Sequence, residues 1–147
     1  METSLEHPIL GKLIFERDPS WWRTNVRFKE EYWIDFCIDS DEPDVYFRLT
    51  LDRAIEYLDW ARTTESECRN KIADDLLATY NEIWAEDNSM GQISREIFIN
   101  NIVPESLILH LDGEGTWYYK DSDLFAGHSI EISIEADRSF NEAHLAG

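Results

Sequence analysis

The chain is poor in positive charge. Its 147 residues hold 13 Lys and Arg against 31 Asp and Glu, a net charge of −18 with His neutral. Neutralising phosphates takes clustered Lys and Arg, so direct nucleic-acid binding is not expected. Docking on anionic lipid fails for the same reason. Long apolar runs are missing too. No stretch approaches the ~18 residues a membrane helix needs. Met1 to Ile9 carries Glu2 and Glu6 and lacks a basic region followed by an apolar run, so it does not read as a signal peptide. Cysteine is scarce: Cys37 and Cys68 form no C-x-x-C pair. Two reduced thiols and a cytoplasmic protein are the expectation. Neither G-x-G-x-x-G, G-x-x-x-x-G-K-[ST] nor G-x-S-x-G occurs, so nothing points to a phosphate-binding loop or a nucleophile elbow. No cofactor is expected.

Glycine and proline are also few, 6 and 4, while hydrophobic residues reach 43% and aromatics 13%. That composition suits a packed core and not a disordered chain. The length fits one domain, residues 1–147. The acid surplus is spread along the chain: −5 over Met1 to Leu49, −6 over Thr50 to Met90 and −7 beyond. No tail holds it, so the folded surface itself must be acidic.

Hydrophobic periodicity divides the chain into three parts. In the first, Ile9, Leu10, Leu13 and Phe15 mark a strand, and Asp18-Pro19-Ser20 breaks it. Val26 and Phe28 alternate with Arg27 and Lys29. Tyr32, Ile34, Phe36 and Ile38 share a face opposite Asp35 and Asp39, and Lys29-Glu30-Glu31 suits a short hairpin link. The second part, about Leu51 to Ala85, has helical spacing. Thr64-Glu65-Ser66-Glu67 has the form of a capping box and predicts a new helix there, hence an antiparallel helical pair. Ser94 predicts the cap of a short helix to Asn101, ahead of Pro104. The third part returns to strands: Leu107, Leu109 and Leu111, a hairpin at Asp112-Gly113-Glu114-Gly115, Trp117 to Lys120, then a last strand marked by Ile130, Ile132, Ile134 and Ala136. The fold expected is α+β: an antiparallel sheet of about five to seven strands packed on a central helical pair, in the order strands, two to three helices, strands.

Some clusters could carry chemistry. Asp39, Asp41, Glu42 and Asp44 crowd around Pro43, but the sixth position from Asp39 is not Gly and the twelfth is Thr50, so the EF-hand pattern fails. A solvated acidic loop is the simpler reading. Asp121, Asp123 and His128 fall within eight residues and could share a proton or part of a metal site. No H-x-x-x-H or H-E-x-x-H pattern supports a metal, and none is assigned. His7, His110 and His144 are scattered, and His110 is expected at a rim. Aromatic pairs are more informative. Trp21 and Trp22 are adjacent, as are Trp117 and Tyr118. On a strand, neighbours point to opposite faces, so one of each pair cannot enter the core. Trp, Tyr and Arg are enriched at binding hot spots. The candidate binding residues are therefore Trp21, Trp22, Trp117, Tyr118, Asp121, Asp123, Phe125 and His128; no catalytic residue is assigned.

Leu10-Gly11-Lys12-Leu13, Trp21-Trp22, Tyr80-Asn81-Glu82-Ile83-Trp84 and Asp121-Ser122-Asp123-Leu124-Phe125-Ala126-Gly127-His128-Ser129-Ile130, with the closing Ala146-Gly147, resemble an uncharacterised bacterial family of unknown function over Leu10 to Gly147. The resemblance implies a small bacterial, cytoplasmic protein and carries over no catalytic residue. Small acidic α+β proteins are also similar in style to immunity proteins that neutralise toxins. Three functions compete: an acidic module binding a basic protein, a small hydrolase or metal-binding enzyme using Asp121, Asp123 and His128, and a DNA mimic. Distributed negative charge with aromatic anchors favours the first.

Overall fold

The computed structural model describes residues 3–18, 20–29, 32–40 and 47–146, with the backbone alone for 3 and 47–50. Pro19, Glu30, Glu31, Gly147 and the acidic Asp41, Glu42 and Asp44 lie outside them. Eight strands form one sheet whose spatial order is the chain order: β1 (Thr3–His7), β2 (Gly11–Arg17), β3 (Ser20–Lys29), β4 (Tyr32–Asp39), β5 (Val103–Leu109), β6 (Gly115–Lys120), β7 (Ser129–Ile134) and β8 (His144–Ala146). Neighbours are antiparallel except β4 and β5, which run parallel. Between those two strands come helix α1 (Phe47–Thr79), a π turn at Tyr80–Trp84, a 3-10 turn at Ala85–Asp87 and helix α2 (Arg95–Asn101).

The sheet is thus mixed and eight-stranded, and not an antiparallel sheet of five to seven. The helical pair is also absent. α1 runs 33 residues without a break, about 50 Å at 1.5 Å per residue. The two corrections share one cause. Two antiparallel helices would return the chain to the end of the sheet where β4 stops, and β5 would then run antiparallel to β4. One long helix carries it to the opposite end, so β5 must run parallel, the usual result of a helical crossover.

The buried stripe of α1 shows why the helix continues. Leu51, Ala54, Leu58, Ala61, Glu65, Cys68, Ile72, Leu76 and Tyr80 are all buried. They follow one another at spacings of three and four, one face of a continuous helix. The Thr64 hydroxyl does not cap a new helix. It donates back to the Trp60 carbonyl at 3.0 Å, as Ser and Thr do inside helices. Glu65 interrupts the stripe in sequence only. It is 1% exposed and receives the Arg69 Nε (3.1 Å) and the Tyr32 hydroxyl (3.1 Å).

α1 covers one face of the sheet. Thr24, Phe36, Leu107, Trp117 and Ile132 stand in register across five strands, all buried beneath it. Phe28 meets Trp117 edge to face at 5.2 Å. Residues of opposite parity, such as Trp21, Arg23, Asp35, Tyr118 and Glu131, are half-exposed. Among the described residues no helix packs on that second face. The hairpin at Asp112-Gly113 forms as its sequence predicts, with Gly113 at φ 90° and its amide donating to the His110 carbonyl at 3.0 Å. Ser94 caps α2 by accepting from the Ile97 amide at 3.3 Å.

Candidate functional site

Strand parity sorts the predicted residues. Trp22 (3% exposed) and Trp117 (1%) enter the core, while Trp21 and Tyr118 lie on the uncovered face. Phe125 is fully buried and so is no surface anchor. Trp33, on β4, was missed by sequence reasoning. It is 59% exposed on the uncovered face. Its signal was present: it falls in the polar phase of the alternation that buries Ile34 and Phe36.

Trp21 is held in place. Glu16 accepts from the indole Nε1 at 2.8 Å and from the Arg23 Nε at 2.9 Å. These bonds to Trp21 and Arg23 stabilise the carboxylate and hold Glu16 below its ordinary range. The Arg23 guanidinium is raised in return, chiefly by Glu16. Trp21 and Trp33 lie near opposite ends of the strands. Trp21 pairs with Asp39 and Trp33 with Arg27, six residues further along β3, about 20 Å at strand rise. Tyr118 lies two strands over from β4, in register with Ser106 and Asp35. Burial, then Glu131, raises its hydroxyl. The carboxylates of Glu16, Asp35, Asp39 and Glu131 share this face. An aromatic set among carboxylates can seat a basic surface.

Cys37 sits on the same face but is only 4% exposed. Burial, then Asp35, pushes its thiol up to about 12, and burial raises Cys68 to about 12 as well. An ordinary thiol titrates at about 8.5. The folded chain therefore keeps protons that the unfolded chain releases. This contribution to stability is complete below pH ~8.5 and is lost as pH rises toward the folded value. Two results are expected. Neither thiol reacts with a disulfide reagent at pH 8 until denaturant is added, and Tm falls by several degrees between about pH 8.5 and 11. Rapid reaction of the native protein would contradict the burial of both groups.

Asp121, Asp123 and His128 do come together. They line an open groove of about 560 Å³ with Glu105, Lys120 and Ser122. Asp121, however, is occupied. Its Oδ1 accepts from the Asp123 amide (3.0 Å), and its Oδ2 from the amides of Phe125 (2.9 Å) and Gly127 (3.0 Å). The carboxylate is the centre of its own turn. That turn holds Ser122, Asp123 and Ala126 at φ 50°, 68° and 57°. His128 lies edge-on to Trp84 at 5.9 Å. No group of three or more His, Cys, Asp or Glu suited to a metal occurs among the described residues.

Two of the resembling stretches, Tyr80 to Trp84 and Asp121 to Ile130, meet at this turn. Tyr80 and Trp84 contact Phe125 at 5.8 and 5.6 Å, and the Asn88 amide donates to the Asp123 carbonyl at 3.1 Å. Asn81 pins the Ile93 backbone in both directions, at 2.9 and 3.0 Å. The family-like residues join the end of α1 to the β6–β7 connection.

His110 is held at both ring nitrogens, by Asp39 at Nδ1 (2.9 Å) and Thr116 at Nε2 (2.9 Å). Asp39 and His110 are 71 positions apart. Only the parallel pairing of β4 and β5 brings them together, so sequence spacing held no signal.

No helix of the described residues is long and apolar enough to cross a membrane. No curated protein and no solved structure matches the chain. A family described as uncharacterized protein conserved in bacteria (DUF2262) matches residues 7–145. The chain therefore belongs to this bacterial family, a domain of unknown function.

Proposed function

We propose that the protein is an acidic, immunity-like binding module that neutralises or regulates a basic protein partner. The observation that supports this most is the uncovered sheet face, where Trp21, Trp33 and Tyr118 stand among carboxylates on a chain of net charge −18. Aromatic anchors supply contact area, and complementary charge speeds encounter and disfavours wrong partners. The turn built on Asp121 supplies no such argument for the hydrolase reading, because its carboxylate already serves three amides.

The test is capture from a bacterial lysate by the immobilised protein, beside a Trp33→Ser, Tyr118→Ser variant. Both side chains stand on the uncovered face, outside the core beneath α1, so the variant should fold. A basic protein should be retained at low salt, weakened at ~0.5 M salt where screening acts within a few Å, and held at least about tenfold less tightly by the variant. A neutral or acidic partner, or equal capture by the variant, would contradict the reading. Release by duplex DNA would favour mimicry of DNA over an immunity role.

A further inference from the structure

A second site adjoins the uncovered face at Asp39 and opens beyond the end of the strands. A cavity of about 300 Å³ opens at the carboxyl ends of β4 and β5, against the first turns of α1. This is the one parallel pair of strands in the described sheet. In sheets with parallel strands, ligands commonly bind beyond their carboxyl ends. Ile38, Leu109 and Leu111 give the wall an apolar part.

The charges on the wall are sorted in an unusual way for so acidic a chain. Both carboxylates there are already engaged. Asp39 bonds His110 at 2.9 Å, and Glu56 bonds the Arg138 Nη2 at 3.1 Å. Arg138 is further ordered by its guanidinium lying over the rings of Trp60 (5.2 Å) and Tyr57 (5.7 Å). Arg53 lines the same cavity and makes no ion pair among the described residues. Arg53 is exposed, so its guanidinium can turn toward an anion that enters the cavity.

One residue of the wall also carries a buried, unpaired hydroxyl. Tyr57 belongs to the cavity wall, is 3% exposed, and its hydroxyl has no hydrogen-bond partner among the described residues. A buried hydroxyl left unpaired is costly and uncommon. The hydroxyl lies over Gly115, where an added Cβ would come within 2.1 Å of it. A glycine at that position is therefore required for the ring to sit where it does.

We propose that this cavity binds a small organic anion, a carboxylate or phosphate ester with an apolar body, whose charged end meets Arg53 and Arg138. Guanidinium groups suit such oxygens because they offer paired N–H donors in one plane. The apolar end faces Ile38, Leu109 and Leu111.

Benzoate is a suitable probe, with benzyl alcohol as its uncharged counterpart. In amide NMR titrations of the full chain, benzoate should give saturable shifts at His110, Leu111, Gly113 and Arg138, and benzyl alcohol should not. Arg53→Gln should weaken benzoate by at least about fivefold, the loss of a charge-assisted contact. Arg138→Gln should do the same if it folds; because its guanidinium also packs on Trp60, Arg53→Gln is the deciding variant. No saturable shift up to about 20 mM, well above the Kd of a millimolar ligand, would overturn the proposal. So would equal shifts with benzyl alcohol, or an unchanged affinity in Arg53→Gln.

Discussion

Replacing Glu65 with alanine is expected to cost about 3–5 kcal/mol of stability, the usual result of removing one partner from a buried ion pair. Glu65 is 1% exposed, accepts from Arg69 and the Tyr32 hydroxyl, and has the Lys29 ammonium at ion-pair distance, 3.9 Å. Arg69 in turn donates to the Ile99 carbonyl at 3.0 Å. One carboxylate thus ties the middle of α1 to β4 and, through Arg69, to α2. Without it the guanidinium stays in place, largely buried and without its charge partner. The double variant Glu65→Leu, Arg69→Met should recover most of the loss, because similar-sized apolar residues can replace a buried pair at little cost. Urea unfolding of the two variants beside the unchanged protein measures both effects. A single-variant loss below about 1 kcal/mol, the range of exposed pairs, would show that the pair is not buried in solution.

The second large effect is expected at Asp121. Asp121→Ala removes the acceptor of three amides, and a loss of about 3 kcal/mol follows from leaving such donors unpaired. The turn it organises holds three non-glycine residues in the left-handed region. Each costs energy that the surrounding bonds must offset. Loosening the turn releases Phe125 from Tyr80, Trp84 and Phe98. The readouts are a lower Tm and a red shift in the tryptophan fluorescence contributed by Trp84. Asp121→Asn, which keeps some acceptor capacity, should lose less. An unchanged Tm in Asp121→Ala would remove the structural role assigned to this carboxylate and reopen a chemical one.

The strands were more legible than the connection between them. Alternation at Val26-Arg27-Phe28 and Ile34-Asp35-Phe36 is a local, two-residue signal; for Trp21-Trp22 and Trp117-Tyr118 it told that the neighbours part to opposite faces, and the structure shows which of each enters the core. The continuous α1 was illegible at Thr64-Glu65-Ser66-Glu67. A charged residue at a core position resembles a break, and its partners, Arg69 and Tyr32, are fixed only by folding. That single misreading of one helix as two also reversed the expected direction of β5. The same long crossover hid the Asp39–His110–Thr116 chain, whose first two members meet only across the parallel pair. Asp121 was legible as a cluster member but not as the centre of a turn, because its partners are backbone amides that every sequence possesses.

The uncovered face is the surface proposed to meet the partner. The direct measurement is hydrogen exchange of this protein, free and bound to the basic protein it captures. The expected result is slower exchange in β3, β4 and β6, around Trp21, Trp33 and Tyr118, with α1 and α2 unchanged. Protection confined to α1, α2 or the Asp121 turn, with β3, β4 and β6 unchanged, would place the partner elsewhere and contradict the account.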